Sequence, residues 1–260
     1  MSLRLGQAVF ALAIVAIGVE TVVNAHLGNS PGAQYHIIPT IPWLPAIPWL
    51  AYFFGVVWVV CGLAMFSGDT RKVAALTLAT LFTVAAFVLD LPKYLPHPAS
   101  VSLRTLFFEP LAIAALAWLL PGPRDVPAAL HAAARYLLGI ALVVFGIDHF
   151  LAFAFIAALI PDWIPLHAFW TAFFGVAFIA GGLSIAANVL ARWGAAGIAL
   201  MFGVWVATLH LPRTLGAYGI PGAIHDPNEW SSLFIALALC GGAWALAETI
   251  GTSSRPRAIP

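Results

Sequence analysis

Several of the chain's ten acidic side chains and eight histidines fall inside apolar runs rather than between them. An ionisable group at the centre of a membrane-spanning helix costs about 2.5–3.5 kcal/mol on insertion scales, so each such residue demands a physical reason. Glu20 closes the sequence Gly18-Val19-Glu20, and Asp148, with His149 beside it, closes Gly146-Ile147-Asp148. Asp90 and His210 each precede a cation by three residues, Lys93 and Arg213. Glu109 follows Arg104 and precedes Pro110, while His225, Asp226 and Glu229 lie on the approach to the last apolar run. Carboxyl and imidazole groups at the mouth of an apolar cleft can exchange protons with a bound ligand, and imidazole does so near neutral pH. The plainer expectation is end-of-helix anchoring: Asp90 with Lys93 and Glu109 with Arg104 as ion pairs whose cations reach for water. Glu20 and Asp148 have no cation beside them in sequence.

Other chemistries find less support. Asp148, His149, His210 and His225 are metal-ligating types, but adjacent helical residues point about 100° apart, so Asp148 and His149 make no tight ligand pair and no metal is expected. No heme attachment motif and no phosphate-cradling glycine loop is present. Cys61 and Cys240 lie inside apolar runs without a Cys-x-x-Cys spacing and are expected to pack as small apolar residues.

The elements that position these groups follow from composition. Hydrophobic residues make up 62% of the chain and charged residues 8%, with mean hydropathy +0.99. Soluble domains carry about 25% charged residues, so most of this surface must face a lipid bilayer. A net charge of +1 with no basic block excludes nucleic acid as a partner. Apolar runs of about 20 residues, the length a bilayer requires, occur near 7–25, 48–67, 73–91, 104–120, 136–159, 168–189, 192–211 and 231–249. The expected fold is therefore an all-α membrane protein of eight transmembrane helices. Pro110 is expected in the first turn of the fourth, where its missing N–H costs little. The first run has no cleavage site after it and is expected to stay as a helix.

Orientation follows from the short loops. With the N-terminus inside, the cytoplasmic segments hold eight Lys or Arg residues and the outer segments three, Lys93, Arg104 and Arg213. The expectation is a multi-pass protein of a bacterial inner membrane with both termini cytoplasmic. The outer loops 38–49 and 160–170 are rich in Pro and Trp, and Trp43 and Trp163 are expected to cap a polar cluster at the headgroup level. All the intramembrane polar groups named above fall on that side, with the inner half expected to be almost bare of them.

The chain also matches itself. Residues 42–95 align with 162–215 at a constant shift of 120, without a gap. Trp43, Pro45, Phe53, Phe54, Gly55, Gly62 and Leu63 meet identical residues at Trp163, Pro165, Phe173, Phe174, Gly175, Gly182 and Leu183. Leu89-Asp90-Leu91-Pro92-Lys93 meets Leu209-His210-Leu211-Pro212-Arg213, and Gly18-Val19-Glu20 meets Gly146-Ile147-Asp148. Two tandem four-helix repeats are expected, at 1–122 and 135–250, joined by a cytoplasmic linker at 123–134 and followed by a tail at 251–260. An even number of spans per unit makes the copies parallel. The matched glycines are expected to let helix backbones approach closely.

These motifs together resemble the DoxX-like family of small four-helix membrane proteins. The likeness rests on the Gly-x-Glu/Asp helix, the Pro-Trp-x-Pro loop at 42–45, the Phe-Phe-Gly opening of the second helix and Gly-Gly-Leu at 181–183. It covers about 10–120 and 135–247, and it departs from the family pattern in being a fused pair. The resemblance implies a quinone- or redox-linked membrane component, and it supplies no consensus of catalytic residues. No intrinsic cofactor motif is present, so a quinone is the candidate ligand and electrons would come from a redox partner subunit. Candidate ligand-binding residues are Glu20, Asp90, Glu109, Asp148, His149, His210, Arg213, Trp43 and Trp163. Two other readings stay open: a non-catalytic module that binds lipid or another apolar ligand or scaffolds a complex, and a small-molecule transporter.

Overall fold

Inside hydrocarbon there is no water to bond exposed N–H and C=O groups, and a helix satisfies nearly all of them within one segment. The computed structural model, which describes residues 4–25, 48–220 and 222–253, is built from such helices. Among the described residues, seven are long and apolar enough to cross a membrane. They are α1 (Leu5–Val23), α3 (Arg71–Tyr94), α4 (Val101–Leu119), α5 (Ala128–Leu151), α6 (His167–Ala187), α7 (Ala191–Thr214) and α8 (Pro227–Ser253). The remaining long apolar segment forms a shorter helix, α2 (Pro48–Ala64). Trp43 lies outside the described residues.

Most expected runs fall on these helices, with three differences that have physical causes. Helix α5 begins at Ala128 and ends at Leu151, where Ala152 leaves the helical conformation before a short helix, Phe153–Leu159. The expected run at 136–159 joined these two because both are apolar. Pro110 sits well inside α4 rather than in its first turn, because Ser100 caps the helix ten residues earlier by accepting from the Leu103 N–H at 3.3 Å. The Leu106 carbonyl thereby loses its usual donor four residues on.

The third difference concerns α3 and α7, which run past their expected ends at 91 and 211 despite Pro92 and Pro212. Each makes one π-turn just before its proline, at Ala86–Asp90 and Val206–His210. The Leu91 N–H reaches back five residues to the Ala86 carbonyl, and the Leu211 N–H to that of Val206. The wider turn absorbs the proline without ending the helix, and such bulges often mark functional positions. Asp90 and His210 close the two π-turns.

The helices pack as a closed circuit: α1 on α2, α2 on α3, α3 on α4, α4 on α5, α5 on α6, α6 on α7, α7 on α8, and α8 back on α1. Helix α4 also touches α8 across the middle. The span of α8 is 67% buried inside the protein while those of α6 and α7 are 33% buried, so α8 lies innermost and α6 and α7 face lipid. Two seams depend on glycine. A Cβ added at Gly18 would stand 2.7 Å from the Gly55 carbonyl oxygen, and one at Gly146 would stand 2.6 Å from that of Gly175. Only a residue without a side chain lets α1 meet α2, and α5 meet α6, at that separation.

Both ends of the described chain lie at one end of the bundle, where Arg4 Nη1 meets Thr249 Oγ1 at 3.4 Å. This is the near end. The far end carries the connections α3–α4, α5–α6 and α7–α8.

Candidate functional site

The far end gathers the intramembrane polar groups, in separate clusters rather than one. The richest lies where α3, α4 and α5 meet. Arg104, in the first turn of α4, forks onto the Asp148 carboxylate of α5 through Nε at 2.7 Å and through Nη2. Thr105 Oγ1 donates to the other oxygen of Asp148 at 3.3 Å. Arg104 also donates to the Pro98 carbonyl at 3.3 Å, and Tyr94 lies beside its guanidinium. Asp148 is 4% exposed, so this is a buried ion pair with both carboxylate oxygens occupied.

That geometry corrects the expected partnership of Arg104 with Glu109. Residues five apart on a helix lie on different faces, whereas the α4–α5 packing brings Asp148 to the face that Arg104 presents. Glu109 is left without a hydrogen-bond partner among the described residues, partly exposed on α4. Its neighbour is a second acid: Asp90, close enough for the two charges to act on each other. Asp90 does pair with Lys93, at 3.2 Å. Lys93 thus serves Asp90, and Glu109 has no cation of its own among the described residues. Eight residues separate Val101 from Glu109, a rise of about 12 Å from the far end of α4, too deep for a short carboxylate to reach water.

Aromatic residues flank the two acids in sequence: Phe107 and Phe108 precede Glu109, and Phe87 and Tyr94 bracket Asp90. Phe107 stacks on Tyr94 with centroids 6.0 Å apart, and it meets Phe87 and Phe108 edge-on at 5.6 and 5.0 Å.

The second cluster joins α7 to α8. Arg213 Nε meets both oxygens of Glu229, at 2.7 and 2.8 Å. Thr214 Oγ1 donates to the Glu229 carbonyl at 3.1 Å, and the Tyr218 hydroxyl donates to the Thr208 carbonyl. His210 lies one turn earlier on the same helix, half-buried, while Arg213 extends to the acid. The third cluster lies at the far end of α1, where Asn24 Nδ2 donates to the buried Glu20 carboxylate at 3.0 Å.

The other candidate residues stand apart. His149 bonds through Nδ1 to the Phe145 carbonyl at 2.7 Å and lies against the Phe178 ring, away from Asp148. Trp163 is 65% exposed and does not turn into any cluster, although Ile160 and Pro161 just before it are buried. The Arg104–Asp148 pair was not legible from the sequence, because its members are 44 residues apart and separated by a helix end. The π-turns could have been anticipated from the Leu-Pro pairs that follow Asp90 and His210. Nor is the near end bare: Gln7 is buried there, and Arg4, Thr249 and Glu248 are near it. A groove of about 580 Å³ between α7 and α8 shares no lining residue with the acid pair. Compared with known proteins, the chain matches no family model, no curated protein and no solved structure.

Proposed function

We propose that this chain is a quinone-linked redox component of a bacterial inner membrane, binding the ligand's ring at Glu109. The observation that carries the reading is an intramembrane carboxyl group with no protein hydrogen-bond partner among the described residues, near a second acid on the neighbouring helix and preceded on its own helix by Phe107 and Phe108. A lone carboxyl at that depth is costly enough to need a function, and a carboxyl that loses and regains a proton is suited to a carbonyl that gains one. Reduction of a quinone takes up two electrons and two protons as its carbonyls become hydroxyls. The electrons would come from a partner subunit carrying a flavin or a metal centre. Glu109 would hold and pass a proton to the ring oxygen, Asp90 would receive its replacement from the far-end surface, and Lys93 would keep the pair from carrying two uncompensated charges.

The same proposal takes the chain as eight spans in two tandem, parallel four-helix units of the DoxX-like kind, with both termini cytoplasmic. It is supported by the two π-turns 120 residues apart, the two glycine seams at matched positions, and the closed circuit in which α1 meets α8 as α5 meets α4. The far end is then the outer side, and the acid pair opens toward it.

The test is a titration of the purified protein in nanodiscs with a short-tailed quinone. Glu109→Leu, which removes the proton donor, should weaken saturable binding about 10-fold, about 1.4 kcal/mol for one hydrogen bond, while Trp163→Ala should bind as the natural chain does. No saturable binding by the natural chain, or equal binding by Glu109→Leu, would sink the reading.

A further inference from the structure

We propose that the groove between α7 and α8 holds one amine-bearing phospholipid of the near-end leaflet, its phosphate on Arg192 and its ammonium toward Glu248. The proposal is independent of the Glu109 reading. The groove has about 580 Å³ of space, within the range of about 300–1,000 Å³ typical of small-molecule sites. Its walls are apolar, with Ala196, Leu200 and Val204 on α7 facing Trp244 and Ala247 on α8. At its near end stand the two charged residues of the lining, Arg192 and Glu248, of opposite sign. That pairing of charges matches a zwitterionic headgroup, whose phosphate and ammonium are separated by a short linker, better than it matches a purely anionic one.

The groove is long enough for an extended acyl chain. From Glu248 to Cys240 its α8 wall spans eight residues, about 12 Å of helix, and its α7 wall runs on from Arg192 to Thr208, about 24 Å. Half of a hydrocarbon core is about 15 Å, so a chain whose headgroup sits at Arg192 can lie along α7 past the midplane. Cys240 ties the two helices behind it, its thiol donating to the Ala199 carbonyl at 3.3 Å, with Gly203 opposite. Trp193 and Trp244 flank the opening, and the Arg192 guanidinium lies 5.7 Å from the Trp193 ring centroid. Indole rings at a headgroup boundary beside a phosphate-binding cation are the usual furniture of a lipid site.

The experiment exchanges the purified full chain into nanodiscs of phosphatidylethanolamine, phosphatidylcholine or phosphatidylglycerol. Lipids retained on the released protein are then counted by native mass spectrometry. One phosphatidylethanolamine per chain should survive activation that strips the rest, and the other two lipids should be retained at least 5-fold less. Arg192→Gln, an exposed change that leaves the core alone, should abolish retention. Gly203→Leu should do the same by filling the groove, since a Cβ there meets only Cys240 Sγ at 3.5 Å and the larger side chain has the open space to enter. Equal retention of all three lipids, or retention unchanged in both variants, would overturn the proposal.

Discussion

The far ends of α3–α4 and α7–α8 are built from residues 120 apart in sequence, yet they solve the same problem differently. Both helices α3 and α7 pass a proline through a π-turn and present a cation three residues beyond it, Lys93 or Arg213. Both following helices carry a glutamate at the 120-residue spacing, Glu109 nine residues into α4 and Glu229 in the first turn of α8. In the second corner Arg213 forks both oxygens of Glu229, Thr214 bonds the same residue's carbonyl, and Tyr218 reaches back to Thr208. In the first, a lysine replaces the arginine and pairs with Asp90, where the second corner has His210. Tyr94 replaces Thr214 and stacks on Phe107 instead, and Pro98 stands where Tyr218 would brace the turn. The second corner is closed by its own hydrogen bonds. The first keeps a carboxyl group in reserve. Arg213 shares its one Nε–H between the two oxygens of an acid on the next helix, whereas Lys93 stays with Asp90 on its own turn, so the two cations differ in which acid they hold.

The largest effect is expected where the two halves of the chain are tied together. Arg104→Ala leaves the buried Asp148 carboxylate without its cation, a loss of about 3–5 kcal/mol for a broken buried pair. The double change Arg104→Leu with Asp148→Leu should recover most of that, because it removes the stranded charge. Unfolding in mixed micelles by denaturing detergent measures both, and an Arg104→Ala protein as stable as the natural chain would remove the pair from any account of the fold.

A smaller effect would test the comparison directly. Lys93→Arg gives the first corner the cation of the second, and the longer fork should reach Glu109 as Arg213 reaches Glu229. Quinone affinity in nanodiscs is expected to fall about 10-fold, or 1.4 kcal/mol, with stability unchanged or raised. Tighter binding in that variant would mean that the cation, not the acid, contacts the ligand. Thr105→Val should show the smallest change, about 1 kcal/mol of stability for one neutral donor removed from Asp148. A loss as large as that of Arg104→Ala would reveal that the hydroxyl orients the whole pair.

The amino-acid sequence by itself determined that the chain forms helices apolar enough to span a membrane, where most of them lie, and that several acids fall within or at the ends of those runs. Those properties follow from local hydropathy and from residue identity at a fixed spacing, which need no folding to be read. It also determined the Asp90–Lys93 pair, since both groups sit on one helical turn. Only the tertiary structure decided who meets Arg104. Asp148 and Glu109 are equally acidic and both near it, but the packing angle of α4 on α5 places one carboxylate against the guanidinium and leaves the other beside Asp90. Hydropathy carries no information about which face of a uniformly apolar helix meets its neighbour. The interior placement of Pro110 and the break at Ala152 escaped for the same reason, because in a chain that is apolar on every side the pattern that normally marks a helix face and its ends is absent.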